Sequence, residues 1–227
     1  MLFHSQEKLK VNYEAISNSK ITLDGDLNLS EEMKKQMLEK LEKVNKQPKK
    51  YVLYYYDGNA YFSKDISNKT EQREGYFKLK DKEGFYRLND YKVEEFYGYY
   101  PNNDFDIEYK DETLTIENYL CKLAIIKIGN ITSQVWYTEE IPVSAGPFIY
   151  NNLPGLVLKI ERPNFLCYAT HVSNDFDEKE VKKMDTQLKI YQGEELKLKL
   201  KEGLEKMRNY NKELTEMNKK KIMEMYK

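Results

Sequence analysis

Histidine is almost missing: the 227 residues hold two, His4 and His171, which excludes a His-rich zinc site. Cysteine is as scarce. Cys121 and Cys167 are the two present, too few for a disulfide framework and no guide to redox compartment. Net charge is missing too. Lys plus Arg is 37 and Asp plus Glu is 38, leaving -1. Such a balance exerts no whole-molecule pull toward nucleic acid or an anionic membrane. No apolar run approaches the ~18 residues that a membrane-spanning helix needs. The start, Met1 to Gln6, lacks the positive region and apolar core of a signal peptide. Phosphate-loop and dinucleotide fingerprints are absent.

Aromatic residues are plentiful. They make up 13% of the chain and include 20 tyrosines, which argues against disorder. A third of the residues are charged and mean hydropathy is -0.81, so the chain is polar, yet long enough to bury a sizeable core. Charge is uneven. Residues 178–227 hold 14 basic and 10 acidic groups, whereas the rest hold 23 and 28. The basic tail reads as the solvated face of an amphipathic helix, with a docking element as the alternative.

Local patterns favour an antiparallel sheet. Lys8 to Ile16 alternates weakly. Ser30 can cap a helix over about 31–46, with Glu31 and Glu32 in its first turn and Met33, Met37, Leu41 and Val44 at helical spacing. Tyr51–Tyr56 and Ala60–Ser63 flank Asp57-Gly58, a hairpin signal. Tyr76–Lys80 and Phe85–Leu88 form another pair, while 89–115 is less regular. Tyr119–Ile128 and Ile131–Thr138 flank Gly129-Asn130. Leu156–Glu161 and Phe165–Val172 flank a turn at Arg162-Pro163-Asn164. From about 194 the tail turns helical, with a second helix expected over about 201–226; Leu200, Leu204, Met207, Tyr210, Leu214 and Met217 step by three or four. The ambiguous stretch Leu196 to Leu200 alternates like a strand. Short strands joined by turns predict an α+β fold in one domain, 1–227, with a curved antiparallel sheet, an inserted helix and a carboxy-terminal helix.

Most candidate chemistry dissolves on inspection. Asp24, Asp26, Asn28 and Ser30 start like a calcium loop, but Leu29 and Lys35 stand where the pattern needs Gly and Glu. On a regular strand Cys167 and His171 share a face ~13 Å apart, too far to bind one ion or act as a catalytic pair. A Cys121–Cys167 disulfide remains open, to be decided by geometry. Ser144 suggests half of a nucleophile elbow, but Pro142 and Gly146-Pro147 do not suit that turn. Tyrosine-rich strands can stack bases, yet without a basic face they read as a half-buried sheet. No cofactor or metal site is expected.

The most informative stretch runs from Trp136-Tyr137-Thr138 through Ile141-Pro142, Ser144 and Gly146-Pro147 to Leu153-Pro154-Gly155-Leu156. A strand ends in a Pro- and Gly-containing loop, and a second strand leaves it. Pro154-Gly155 suits the centre of a type II turn, where Gly accepts positive φ. The loop either closes the end of the core or presents a surface. Together with Cys121, Lys122 and Ala124, these residues resemble the GLPGLI family of bacterial proteins over about 119–161. Asn152 replaces the family's first Gly and Val157 its Ile.

The resemblance implies export to the cell envelope, periplasm or exterior. It implies no catalytic residue. The expected role is binding of an envelope protein or a small hydrophobic ligand, without nucleic acid or a transmembrane segment. The expected contacts are Trp136, Pro142, Ser144, Gly146, Pro147, Leu153, Pro154 and Gly155. Two alternatives stand beside it. One is a hydrolase assembled from Ser144, His171 and a carboxylate. The other is an assembly protein using the carboxy-terminal helix.

Overall fold

A computed structural model describes residues 8–18, 30–65, 74–92, 94–102 and 105–225. The amino-terminal residues with His4, and Asp24, Asp26 and Asn28 of the calcium-like stretch, lie outside them. The strands are β1 (Lys8–Ser17), β2 (Lys49–Tyr56), β3 (Asn59–Lys64), β4 (Glu74–Lys78), β5 (Phe85–Asp90), β6 (Glu95–Tyr100), β7 (Asp106–Ile116), β8 (Tyr119–Ile128), β9 (Ile131–Thr138), β10 (Leu156–Arg162), β11 (Phe165–Ser173) and β12 (Ile190–Tyr191). The helices are α1 (Glu31–Asn45) and α2 (Gly193–Met225).

All twelve strands join one sheet in the order β12-β6-β5-β4-β3-β2-β1-β11-β10-β9-β8-β7. Two antiparallel meanders, β2–β6 and β7–β11, are joined by β1, which pairs antiparallel with both β2 and β11. Only β12 runs parallel to its neighbour, β6. The expected α+β fold with an antiparallel sheet is what the chain forms. Its curvature follows from chain length. β6 and β7 are ten strand positions apart in the order, about 48 Å along the sheet at ~4.8 Å per strand. The chain from Tyr100 to Asp106 reaches at most ~23 Å. The sheet must therefore curl so that its two ends approach.

Turn chemistry matches the local sequence. Asp57 (φ 46°) and Gly58 (φ 78°) both adopt positive φ, as a type I′ hairpin requires. Glu117 and Asn118 do the same between β7 and β8. Gly129 alone is positive in its two-residue turn, the type II′ pattern. Asn164 follows Pro163 with φ 61°, a type II arrangement.

Each face of the sheet has its own core. Leu9, Val11, Tyr13 and Ala15 of β1 alternate onto one face, with Leu53 and Phe62. Ile141, Val143, Ala145, Tyr150 and Leu153 from the β9–β10 connection fill the space above them. Val52, Tyr54, Phe77 and Tyr97 point to the opposite face, beneath Phe176, Val181, Met184 and Leu188. That covering segment is tied down by Glu180, which accepts from Lys10 and from the Tyr54 hydroxyl, both at 2.9 Å. The first surface is the loop face and the second the strap face.

The helices add less. Ser30 caps α1 as expected, accepting from the Met33 amide at 3.2 Å. Met33, Met37 and Val44 nevertheless stay exposed. α2 starts at Gly193, where the helical tail is expected to begin and eight residues before the 201 boundary. Leu196 is buried against Gly98, which turns the strand-like alternation into the first turns of a helix. Beyond that contact Leu204, Tyr210, Leu214 and Met217 are exposed. No helix among the described residues is long and apolar enough to cross a membrane.

Candidate functional site

The β9–β10 connection is built by close backbone approach. Val143 N–H donates to Ile141 O and Ala145 N–H to Val143 O, both at 2.8 Å. These tight turns send Ile141, Val143 and Ala145 inward together. The loop then folds onto the start of β10, with Leu156 N–H bonded to Ile141 O (3.1 Å) and Val157 N–H to Ala145 O (2.9 Å). Tyr13, fully buried, donates its hydroxyl to Val157 O at 2.6 Å. Ser133 and Tyr150 share a buried hydroxyl bond, also 2.6 Å. Phe148 adopts φ 58°, uncommon for a bulky residue. Its ring is held among Tyr51, Phe62, Tyr76 and Phe165, with centroids 4.7–5.8 Å away.

The expected type II turn at Pro154-Gly155 does not form, because Gly155 has no positive φ. Gly is needed there for another reason. A Cβ on Gly155 would sit 2.1 Å from Thr138 O, and one on Gly146 would sit 2.0 Å from Tyr150 O. Asn152 likewise has no positive φ. The motif residues separate by exposure. Leu153, Gly146, Pro147 and Gly155 are buried, Trp136 and Ser144 are half-buried, and Pro142 and Pro154 are exposed.

Lys78 is the residue that sequence reading missed. It extends from β4 on the loop face, where its register partner is Ala60. Its ammonium donates to Asn151 O (2.6 Å), Ser144 O (2.8 Å) and Ser144 Oγ (2.9 Å). Ser144 Oγ in turn donates to Asn151 O at 3.0 Å. All three ammonium protons are thus used, with no carboxylate paired to Lys78 among the described residues. Burial lowers its pKa to about 8. The group clamps the first meander to the loop of the second.

The other candidates do not converge on it. β11 carries an extra residue near Thr170, since Tyr13 pairs with Ala169 but Asn12 with His171. The bulge leaves Cys167 and Ala169 in the loop-face core and turns exposed His171 to the other face, so Cys167 and His171 do not share one. Ser144 and His171 lie on opposite faces and form no catalytic pair. Cys121 and Cys167 are free, buried thiols. Burial pushes the Cys121 thiol up to about 11 and that of Cys167 further. We expect neither to react with iodoacetamide at pH 8 in the folded protein, and both to react in denaturant, as read by mass spectrometry. Rapid native labelling of either would contradict this burial.

Two surface clefts border the motif. One, of about 540 Å³, lies where β7 bulges near Lys110–Glu112 and is lined by Tyr109, Asp111, Lys122, Tyr137, Glu139 and Pro154. Lys122 bonds Glu139 at 2.7 Å, and Lys110 pairs with Glu108. The other, of about 900 Å³, lies at the sheet rim between the end of β1 and the β8–β9 and β10–β11 turns. Trp136 reaches it indirectly, its Nε1–H donating to Glu161 Oε2 at 3.3 Å.

The family model described as "N-glycanase peptide, N-terminal domain" matches residues 102–198. No curated protein matches. Solved structures similar to this chain include two of PNGF-II, in different crystal forms. At 19% and 18% identity they align with TM-scores of 0.59, covering 88% and 89% of this chain. The likeness at this identity is one of fold. The chain spans about a third of their length, 33% and 34%.

Proposed function

We propose that this chain is a GLPGLI-type domain of the bacterial cell envelope or exterior that binds a polar ligand or a partner protein and performs no chemistry of its own. The observation carrying this reading is the division of the motif loop. Its apolar residues fill the loop face, whereas exposed Pro154 lines a surface cleft beside Lys110, Asp111, Lys122 and Glu139. A filled interior disfavours a small hydrophobic guest, which would need the space that Ile141, Val143 and Leu153 occupy. The charged and tyrosine groups around Pro154 suit a polar contact instead. Likeness to a domain described as N-terminal in N-glycanase supports an accessory role, and the glycanase activity in that name is not carried over.

One observation favours a second reading, a serine hydrolase. Lys78 Nζ is 2.9 Å from Ser144 Oγ, and its pKa of about 8 would let it act as a base. Against it, the Ser144 hydroxyl is spent on Asn151 O and the Ala145 amide on Val143 O. Neither Ser144 nor Lys78 lines the clefts near Pro154 or at the rim. A fluorophosphonate probe and a photocrosslinker at position 154 separate the readings. We expect no labelling of Ser144, and a discrete crosslinked envelope component from position 154 that a crosslinker at Asp57 does not capture. Labelling of Ser144 that Lys78→Met abolishes would replace the binding reading with the hydrolase.

A further inference from the structure

We propose that the rim cleft binds a neutral saccharide. This is independent of the reading for Pro154, which concerns the other cleft. Its volume of about 900 Å³ falls within the range of small-molecule sites. Asn130, Gln134 and Asn164 line it, and their side-chain amides bond no other described residue. Each offers a paired donor and acceptor in one plane. Adjacent sugar hydroxyls, each able to donate and accept, match that pairing. An aliphatic ligand would strip water from these amides and return no hydrogen bond.

The charged groups are arranged to the same end. Arg162 lies over the Phe165 ring, 4.4 Å from its centroid, which fixes the guanidinium plane at the cleft. No carboxylate pairs with it among the described residues. Glu161 is held from two sides, by Trp136 Nε1–H at 3.3 Å and by Lys159 Nζ at 3.1 Å. A carboxylate has about four lone-pair sites, so hydroxyl groups can still donate to it. Lys159 neutralises Glu161, so Arg162 supplies the one uncompensated charge among the described residues of the cleft, on a guanidinium whose N–H groups can also donate to sugar hydroxyls. A phosphodiester, which only accepts, would leave the amide oxygens of Asn130, Gln134 and Asn164 without a partner. The motif strand takes part because Trp136 orients the carboxylate, giving its indole a role outside the loop.

The test uses the full chain labelled with nitrogen-15. Maltotriose, α-mannotriose and N,N′,N″-triacetylchitotriose are each titrated to about 10 mM, the range for weak single-site binding. We expect at least one to produce saturable shifts in the side-chain amides of Asn130, Gln134 and Asn164 and in the Trp136 indole N–H. Arg162→Ala should weaken that binding about tenfold, the size of one charge-assisted hydrogen bond. Gln134→Ala, at an exposed position, should weaken it in parallel if the arginine variant perturbs its turn. No saturable shift with any of the three sugars would overturn the assignment. So would shifts confined to Tyr109, Thr113 and Glu139, which would place a sugar at the Pro154 cleft and leave the binding reading standing. Unchanged affinity in both variants would also overturn it.

Discussion

Replacing Lys78 with methionine is expected to destabilise the fold by about 3 kcal/mol, from hydrogen bonds lost by partly buried acceptors. For a chain of this size that is a drop in Tm of roughly 6–12 °C. The ammonium donates to two carbonyls and a hydroxyl of one loop. Methionine keeps the length of the side chain but leaves Ser144 O without this donor. Asn151 O retains the Ser144 hydroxyl, which limits the loss.

The same residue shapes the pH dependence. The unfolded chain holds the Lys78 proton up to its ordinary range near 10.5, whereas the folded chain releases it near 8. Between these values the unfolded state binds more protons, so this contribution to stability rises with pH and is lost as pH falls through about 8. Above about 9 the buried thiols act in the opposite sense. Their raised pKa values favour the folded state's proton, and stability then falls as pH rises. Thermal melts from pH 7.5 to 9 should therefore show an upward trend in the native protein that Lys78→Met removes. An unchanged Tm and an unchanged trend would show that the clamp does not hold the loop.

Gly155→Ala and Gly146→Ala are expected to be more damaging, each by more than about 4 kcal/mol, with loss of soluble folded protein. The added Cβ would meet Thr138 O at 2.1 Å in the first and Tyr150 O at 2.0 Å in the second. These obstacles are backbone, which cannot swing aside as a flexible side chain can. Gly129→Ala is the contrasting case. It has φ 57° but nothing within 4 Å of the new Cβ, so the cost is conformational, about 1 kcal/mol. Soluble yield and thermal melts compare the three. If Gly155→Ala melts like Gly129→Ala, the close approach at the motif is not what requires glycine.

Pro followed by Gly is a type II signal that rests on four residues alone. Thr138, whose carbonyl excludes a side chain at 155, lies 17 residues earlier and decides the position instead. β7 was missed for a related reason. It is an edge strand, Asp-Ile-Glu-Tyr-Lys-Asp-Glu-Thr-Leu-Thr-Ile, mostly exposed and interrupted by a bulge, so apolar alternation is weak. Lys78 follows Tyr76 on one face of a strand, but a lysine there reads as solvent-facing until something covers it.

The sequence by itself determined the α+β class, the antiparallel hairpins, the cap of α1 and the motif's position between two strands. Each depends on forces acting across a few residues: φ preferences in turns, alternation along a strand and a side chain reaching the next helical turn. Only the tertiary structure decided that β1 joins two meanders, that the motif loop fills one face and that Lys78 clamps it. It also turned His171 away from Ser144 and placed Trp136 beside Glu161. These depend on pairs as distant in the chain as Lys78 and Ser144, 66 residues apart. Burial and close approach are distances between remote segments, and neither exists until the sheet has curled.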